Sequence, residues 1–235
     1  CLVGSEMCIR DRLQNHPKRI VYPEGADPRI LQAARQFSTR KLGVPILLGE
    51  REKISEIAAS VDVRLDGMKI IDPVSSDDFG ELCRLMKAFP RFKALDDDGI
   101  RNLVSNPNYY STLMVASGRA DAMLAGATTV SSSALRPIFQ IIPLQKAFKT
   151  ASSITILSTG RPEFGADGDI FLADCGVIPE PDERQLCDIA LTTGMLANQL
   201  TLQTPRIAML SFSSKASTSC LLYTSPSPRD ISGSR

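Results

Sequence analysis

Hydroxyl-bearing side chains cluster at residues 128–133, within the stretch ADAMLAGATTVSSSALRP. A short apolar run ending at Gly126 precedes them, and apolar residues recur at helical spacing after them. The pattern predicts a buried strand over 122–125, a turn, and a helix over 134–142. Unpaired N–H groups and the helix dipole attract phosphate at a helix start, and Arg136 adds a guanidinium fork. The stretch therefore predicts an oxyanion pocket; the alternative is an ordinary serine N-cap beside a surface arginine.

A second hydroxyl-rich turn, SFSSKAS at 211–217, follows a predicted strand over 207–210. Ligands of open α/β sheets bind at the carboxyl ends of strands. Two hydroxyl-rich turns in such places therefore favour a binding site. Lys215 is either a cation for phosphate or a solvated loop residue.

The segment GADGDIFLADC holds two acids and a cysteine that could take part in catalysis. Asp167 and Asp174 are candidate acid–base groups, or else a turn residue and the end of a strand. Cys175 lacks a histidine partner or basic neighbour that would stabilise a thiolate. His16 is the only histidine of the sequence and lies near its start. Histidine-dependent nucleophiles and histidine-rich zinc sites are therefore disfavoured, and no metal site is predicted.

Both ends of the chain resemble translated sequencing-adapter DNA. The C-terminal CLLYTSPSPRD can be encoded by a DNA segment whose complementary strand encodes the N-terminal LVGSEMCIRD. Residues 1–12 and 220–235 are therefore interpreted as non-native tails and left out of the fold prediction. The native window is expected to run from about residue 13 to 219, and its C-terminal end is expected to be a truncation.

The native window has no net charge, because the formal +1 of the whole chain comes from the C-terminal tail. Such a balance does not indicate nucleic acid or an anionic membrane as a partner. Cys83, Cys175 and Cys187 remain in the window without a CxxC pair. This cysteine usage suits a reducing compartment, so the protein is expected to be cytoplasmic. No apolar run approaches the ~20 residues of a membrane-spanning helix.

Strands and helices alternate along the first part of the window. Strands are predicted over 19–22, 44–48, 69–71 and 122–125, with helices after Asp27 and over 50–60, 77–89, 97–104, 108–116 and 134–142. This alternation is typical of βαβ units with a parallel sheet. Residues 13–147 are therefore expected to form a first α/β domain.

The second part of the window has a different pattern. Strands over 153–157 and 170–173 are close enough to pair as a hairpin, and Asp182 is placed to cap a helix over 183–199. With the strand over 207–210, residues 148–219 are expected to be the start of a second α/β domain.

Five segments, in this order and spacing, resemble the phosphate acetyl/butyryltransferase family. They read RIVYPEGADPRILQAA, ADAMLAGATTVSSSALRPIFQII, ASSITIL, FGADGDIFLADCGV and PRIAMLSFSSKAS. The resemblance implies a three-layer, parallel-sheet, two-domain α/β fold like that of isocitrate and isopropylmalate dehydrogenases, incomplete in this chain. It also implies acetyl transfer between acetyl phosphate and coenzyme A in the interdomain cleft of a homodimer. Coenzyme A would be a substrate, and no tightly bound cofactor is implied.

The resemblance also implies which residues bind the substrates. They are Thr128, Thr129, Ser132, Arg136, Ser211, Ser213, Ser214 and Ser217. Arg136 would contact coenzyme A or the phosphoryl group, and Ala216 stands where the family usually has a glycine. A second family arginine matches Arg84, Lys87 or Arg91, and the sequence does not choose among them. The catalytic serine–arginine pair and aspartate are expected beyond Ser219, so this chain alone is expected to be inactive.

A site without histidine can still perform this transfer. The thiolate of coenzyme A would attack the acetyl phosphate carbonyl directly, while arginine and N–H donors hold the phosphate. Two alternatives remain open at this point. The acyl group could be butyryl, or the chain could belong to the acetyl-coenzyme-A-sensing C-terminal domain of a malic enzyme.

Overall fold

The computed structural model describes residues 13–210. These residues form two compact units that divide between Pro143 and Leu144. Among the described residues, no helix is both long and apolar enough to cross a membrane.

The first unit is built on a parallel four-stranded sheet. Its strands are β1 (Lys18–Tyr22), β2 (Gly43–Leu48), β3 (Lys69–Ile71) and β4 (Ala122–Met123), in the order β3-β2-β1-β4. Its helices are α1 (Pro28–Thr39), α2 (Arg51–Ser60), α3 (Phe79–Ala88), α4 (Asp97–Ser105), α5 (Pro107–Ala116) and α6 (Ser131–Ile141). A short 3₁₀ helix, Pro90–Phe92, follows α3.

Helices cover both faces of this sheet. Val21, Ile46 and Leu48 pack in a cluster with apolar residues of α3 to α6. Tyr22 and Leu47 pack in a second cluster with residues of α1 and α2. Successive residues of a strand point to opposite faces of the sheet. The continuous apolar runs of β1 and β2 therefore place apolar side chains under the helices on both faces. The predicted α/β class with a parallel sheet is confirmed.

Strand β4 is shorter and less buried than the sequence predicts. Only Ala122–Met123 is a strand, and Leu124 is 52% exposed, so the prediction of a buried strand over 122–125 is wrong. The physical reason is that β4 lies at the edge of the described sheet and pairs only with β1. Gly126 then turns the chain away with a φ of +113°.

The second unit contains a hairpin and a long helix. Strands β5 (Thr155–Ser158) and β6 (Asp169–Leu172) pair antiparallel, as their close spacing predicts. Helix α7 (Glu183–Thr201) begins with a capping box between Asp182 and Gln185.

The strand predicted over 207–210 is wrong. These residues are irregular, and Ile207, Met209 and Leu210 are all more than half exposed. A strand needs a hydrogen-bonded neighbour, and within residues 13–210 none pairs with this segment.

Candidate functional site

The hydroxyl-rich turn lies where β4 leads into α6, at the carboxyl-terminal end of the parallel sheet. Helix α6 begins at Ser131. The side chain of its N-cap residue, Val130, is apolar and cannot accept a capping hydrogen bond. The helix therefore starts three residues earlier than predicted. All three serines of the SSS run lie in its exposed first turn.

The loop before α6, residues 126–129, is bound by an acid from the first strand–helix connection. Oε2 of Glu24 accepts hydrogen bonds from the N–H groups of Gly126 and Ala127, both at 2.8 Å. Oε1 accepts from the N–H groups of Thr128 and Thr129, at 2.5 and 2.6 Å. The hydroxyl of Thr128 donates a fifth bond to Oε1, at 2.8 Å.

These contacts determine the charge of Glu24. Burial disfavours its ionised form, but the N–H donors of Thr128, Ala127 and Thr129 and the Thr128 hydroxyl outweigh burial and lower the pKa well below its ordinary range. Glu24 is therefore a carboxylate at physiological pH.

Arg29 contacts the same loop from the start of α1. Its Nη2 donates to the carbonyl of Ala127 at 2.7 Å and to Oδ2 of Asp27 at 2.8 Å. Asp27 also caps α1 by accepting from the N–H of Arg29 at 2.8 Å, as the sequence predicted. The hydrogen bond from Arg29 lowers the pKa of the Asp27 carboxyl. The segment PEGADPR therefore contacts both the donors and one acceptor of the 126–129 loop.

Arg136 and Ser132 are both exposed on α6. Arg136 makes no hydrogen bond or ion pair with another residue in the range 13–210, so its guanidinium is open to a ligand. Ser132 lies one helical turn before it. By contrast, the donors of Thr128 and the N–H of Thr129 are bound to Glu24.

Tyr109 of α5 lies near Arg136. Its hydroxyl donates to Oε1 of Gln140 on α6 at 2.7 Å. Burial raises the pKa of the Tyr109 phenol, and the positive charges of Arg136 and Arg91 oppose that rise. Arg91 and Arg136, distant in sequence, therefore both act electrostatically on Tyr109.

The three candidates for a second arginine differ in their surroundings. Lys87 forms an ion pair with Asp97. Arg84 is exposed on α3 and makes no hydrogen bond to another described residue. Arg91, in the 3₁₀ helix, is the candidate whose charge reaches Tyr109, as that of Arg136 does.

In the second unit, Asp174 is bound much as Glu24 is. Its carboxylate accepts from the N–H of Ser153 at 2.9 Å, from the Ser153 hydroxyl, and from the N–H of Ile178 at 2.7 Å. Further N–H groups of Gly176 and Val177 donate at 3.2 Å. Burial opposes ionisation of Asp174, but the bonds from Ser153, Ile178 and Gly176 outweigh it and lower its pKa to about 2. A carboxylate held this way is a weak general base and joins two chain segments.

Two further candidates, Cys175 and Asp167, lie near Asp174 in the sequence. Cys175 is exposed, and its Sγ lies 3.5 Å from the carbonyl oxygen of Leu172. Asp167 has a φ of +52° directly before Gly168, which matches the turn alternative. Its Oδ2 accepts a bond from Nε2 of Gln203 at 3.3 Å.

The second predicted serine turn lies outside the described residues. This applies to Ser211, Ser213, Ser214, Ser217 and Lys215. Within residues 13–210, no three histidine, cysteine, aspartate or glutamate side chains form a metal-binding group.

A cavity of about 300 Å³ lies at the opposite end of the sheet, among Arg19, Lys69, Asp78, Arg119 and apolar side chains. Its arginines are paired with acids: Arg19 with Asp121 at 3.1 Å and Arg119 with Asp78 at 3.6 Å. We place the candidate site at the start of α6 instead, because its cation and hydroxyls are exposed there.

Glu24 is the residue that the sequence analysis missed. Its signal was present in the PEGADPR segment, where an acid beside a glycine follows a buried strand. That pattern reads as an ordinary turn, since its partners lie about a hundred residues further along the chain.

Comparisons with known proteins agree with this fold. The family model described as "Phosphate acetyl/butaryl transferase" matches residues 6–222. The phosphate acetyltransferase of Acetivibrio thermocellus is 31% identical over 209 residues, which are 89% of this chain and 62% of that protein. That of Thermoanaerobacterium thermosaccharolyticum is 33% identical over 211 residues, which are 90% of this chain and 64% of that protein.

Two solved structures are similar as well. The EutD phosphotransacetylase from Staphylococcus aureus has a TM-score of 0.77 and 28% identity, covering 92% of this chain and 63% of that one. A phosphotransacetylase from Streptococcus pyogenes has a TM-score of 0.79 and 26% identity, covering 93% of this chain and 64% of that one. This chain thus spans less than two thirds of each relative. It belongs to the phosphate acetyl/butaryl transferase family.

Proposed function

We propose that this chain is part of an enzyme that transfers an acetyl group between acetyl phosphate and coenzyme A. The observation that supports this most is that Arg136 is an exposed cation beside three exposed serines at the start of α6. A helix start, hydroxyl donors and a guanidinium together suit a phosphate group. The names of the relatives reported above support the same activity.

In this proposal, Arg136 and Ser132 hold the phosphate of acetyl phosphate or of coenzyme A. Arg91 is the second arginine, because its charge and that of Arg136 act on the same tyrosine. Lys87 is committed to Asp97. Ser211, Ser213, Ser214 and Ser217 are proposed as further donors, as the family resemblance implies.

The chemistry requires a thiolate, a stabilised oxyanion and a leaving phosphate. A general base takes the thiol proton of coenzyme A, and the resulting thiolate attacks the carbonyl carbon. The carbon–sulfur bond forms, and the bond from carbon to the phosphate oxygen breaks. Positive charge from Arg136 stabilises the phosphate as it leaves. Asp174 is not the base in this scheme, because its oxygens are occupied by N–H and hydroxyl donors and its pKa is about 2.

The complete protein is proposed to act as a cytoplasmic homodimer, with the boundary between its first and second domains at 147/148. The three described cysteines are free thiols, which suits a reducing compartment.

The test is to express the complete product of this reading frame and measure acetyl-coenzyme A formation from acetyl phosphate and coenzyme A. Butyryl phosphate is assayed in parallel, because the family description covers both acyl groups. We expect acetyl transfer to be the faster reaction, and we expect the 235-residue chain alone to be inactive. An inactive complete protein that still binds acetyl-coenzyme A would favour a regulatory domain instead.

A further inference from the structure

The segment PEGADPR binds the 126–129 loop through four backbone N–H groups, one hydroxyl and one carbonyl. These contacts join positions about a hundred residues apart in the sequence. The loop leads directly into α6, which carries Ser132 and Arg136.

The glycine after Glu24 makes this arrangement possible. A Cβ atom on Gly25 would lie 2.6 Å from the carbonyl oxygen and 2.9 Å from the nitrogen of Leu48. Only a glycine lets this connection pass so close to the end of β2. Asp27 then begins α1 and orients Arg29 towards the carbonyl of Ala127. Each polar or glycine position of the segment thus contributes to one arrangement.

The charge of Glu24 suits its partners. An ionised carboxylate only accepts hydrogen bonds, and all five groups facing Glu24 donate them. A glutamine in its place would present an NH₂ group to some of these donors. An aspartate would keep the charge but be one methylene shorter.

We propose that Glu24 is a positioning residue for the phosphate site: it holds the 126–129 loop so that the first turn of α6 and Arg136 are positioned to bind phosphate. This inference rests on the proposed function, because it assumes that phosphate binds at the start of α6. Glu24 occupies the N–H groups of the loop, and phosphate is left to Ser132, its neighbouring serines and Arg136. The donors of the 126–129 loop order the loop by binding Glu24, and the serine and arginine side chains of α6 bind the phosphate.

The experiment compares the 235-residue chain with its Glu24→Gln and Glu24→Asp variants. The matched control is Glu56→Gln, an exposed acid on α2 of the same unit. Amide hydrogen exchange is followed by NMR at Gly126, Ala127, Thr128 and Thr129. Inorganic phosphate is then titrated while the amide shifts of Ser131, Ser132 and Ser133 are recorded.

We expect Glu24→Gln to speed exchange at the four loop amides by about 10-fold or more and to weaken phosphate binding by a similar factor, about 1.4 kcal/mol. Glu24→Asp should recover part of both effects, and Glu56→Gln should change neither. Unchanged loop exchange in Glu24→Gln would overturn the proposal. Faster exchange with unchanged phosphate affinity would overturn the positioning role.

One result would separate this proposal from the proposed function. If the unsubstituted chain binds no phosphate at α6, the phosphate site that the proposed function places there is refuted and this inference fails with it, whatever the loop exchange shows; the acetyl transfer of the complete protein is tested separately by its own assay. If Glu24→Gln does not fold, the Glu24 carboxyl is titrated in the unsubstituted chain by ¹³C NMR. An ordinary carboxyl pKa there would overturn the contacts on which the proposal depends.

Discussion

Oε1 of Glu24 accepts two hydrogen bonds from Thr128, one from its N–H at 2.5 Å and one from its hydroxyl at 2.8 Å. These are donors that the sequence pattern suggests for an incoming phosphate. The protein's own carboxylate binds them instead, so the loop is ordered by an internal anion. Ser132 and Arg136, further along α6, are predicted ligands with exposed side chains that make no bond to Glu24.

Replacing Arg136 should reduce substrate use without unfolding the protein, because its side chain is exposed. Hydrogen bonds to charged groups contribute ~1.5–3 kcal/mol, so Arg136→Ala should lower kcat/KM of the complete protein by roughly 10- to 100-fold. Arg136→Lys should restore only part, because an ammonium lacks the planar fork. Steady-state kinetics with Arg51→Ala, another exposed arginine of this unit, as the control would test this. Unchanged constants in Arg136→Ala would identify a surface arginine.

Arg91→Ala should resemble Arg136→Ala, whereas Lys87→Ala should not. The charge of Arg91 reaches the Tyr109 phenol as that of Arg136 does, while Lys87 is paired with Asp97. We expect KM for acetyl phosphate or coenzyme A to rise by about 10-fold in Arg91→Ala, the loss of one charge-assisted contact. A larger effect from Lys87→Ala than from Arg91→Ala would reverse this assignment.

Gly25→Ala should destabilise the first unit. The added methyl would lie within 3 Å of both the nitrogen and the carbonyl oxygen of Leu48. Because both are backbone atoms, the overlap can be relieved only if the backbone itself shifts. Overpacking of this kind costs about 1–3 kcal/mol of unfolding free energy. Urea unfolding would be compared with Gly80→Ala, where a Cβ on α3 meets nothing within 4 Å. Equal stability of the two variants would contradict the close approach.

The secondary structure of the first unit was largely predictable, and its long-range polar contacts were not. The helix cap at Asp27 and the apolar run of β2 can be recognised from neighbouring residues alone. The cap depends on nearby backbone N–H donors, and the strand depends on the spacing of its apolar side chains. The bonds between Glu24 and the 126–129 loop join residues about a hundred positions apart, and no local pattern encodes such a pairing.

The errors have the same origin. The apolar runs at 122–125 and 207–210 predict strands, but a strand forms only beside a neighbour. β4 has one described neighbour and is two residues long. The candidate site was predictable only in part. Ser132 and Arg136 are indicated by the local pattern of a helix start, whereas the carboxylate of Glu24, which binds the loop donors, comes from a distant part of the sequence.

Cys175→Ser should leave acetyl transfer nearly intact, within about twofold, if the coenzyme A thiolate is the nucleophile. Cys175 is exposed, and the hydrogen bond of its Sγ to a described residue goes to the carbonyl oxygen of Leu172. Cys187→Ser, at an exposed position of α7, is the matched control. A loss of ~10³-fold with normal folding, together with a trapped acyl-enzyme, would instead establish a covalent mechanism.

Asp174 should make the stability of the second unit depend on pH in the acid range. Its pKa falls to about 2 in the folded chain, against ~3.9 for an unfolded aspartate. The stabilisation is therefore complete above about pH 5 and is lost progressively as the pH falls through 4 towards 2, because unfolding is then accompanied by protonation. Asp174→Asn should be less stable at pH 7 and show a flatter profile between pH 4 and 2. Thermal unfolding of the 235-residue chain across this range, beside the exposed-acid control Glu180→Gln, gives the comparison. Parallel profiles for the unsubstituted chain and Asp174→Asn would show that Asp174 does not stabilise the connection between residues 153 and 178.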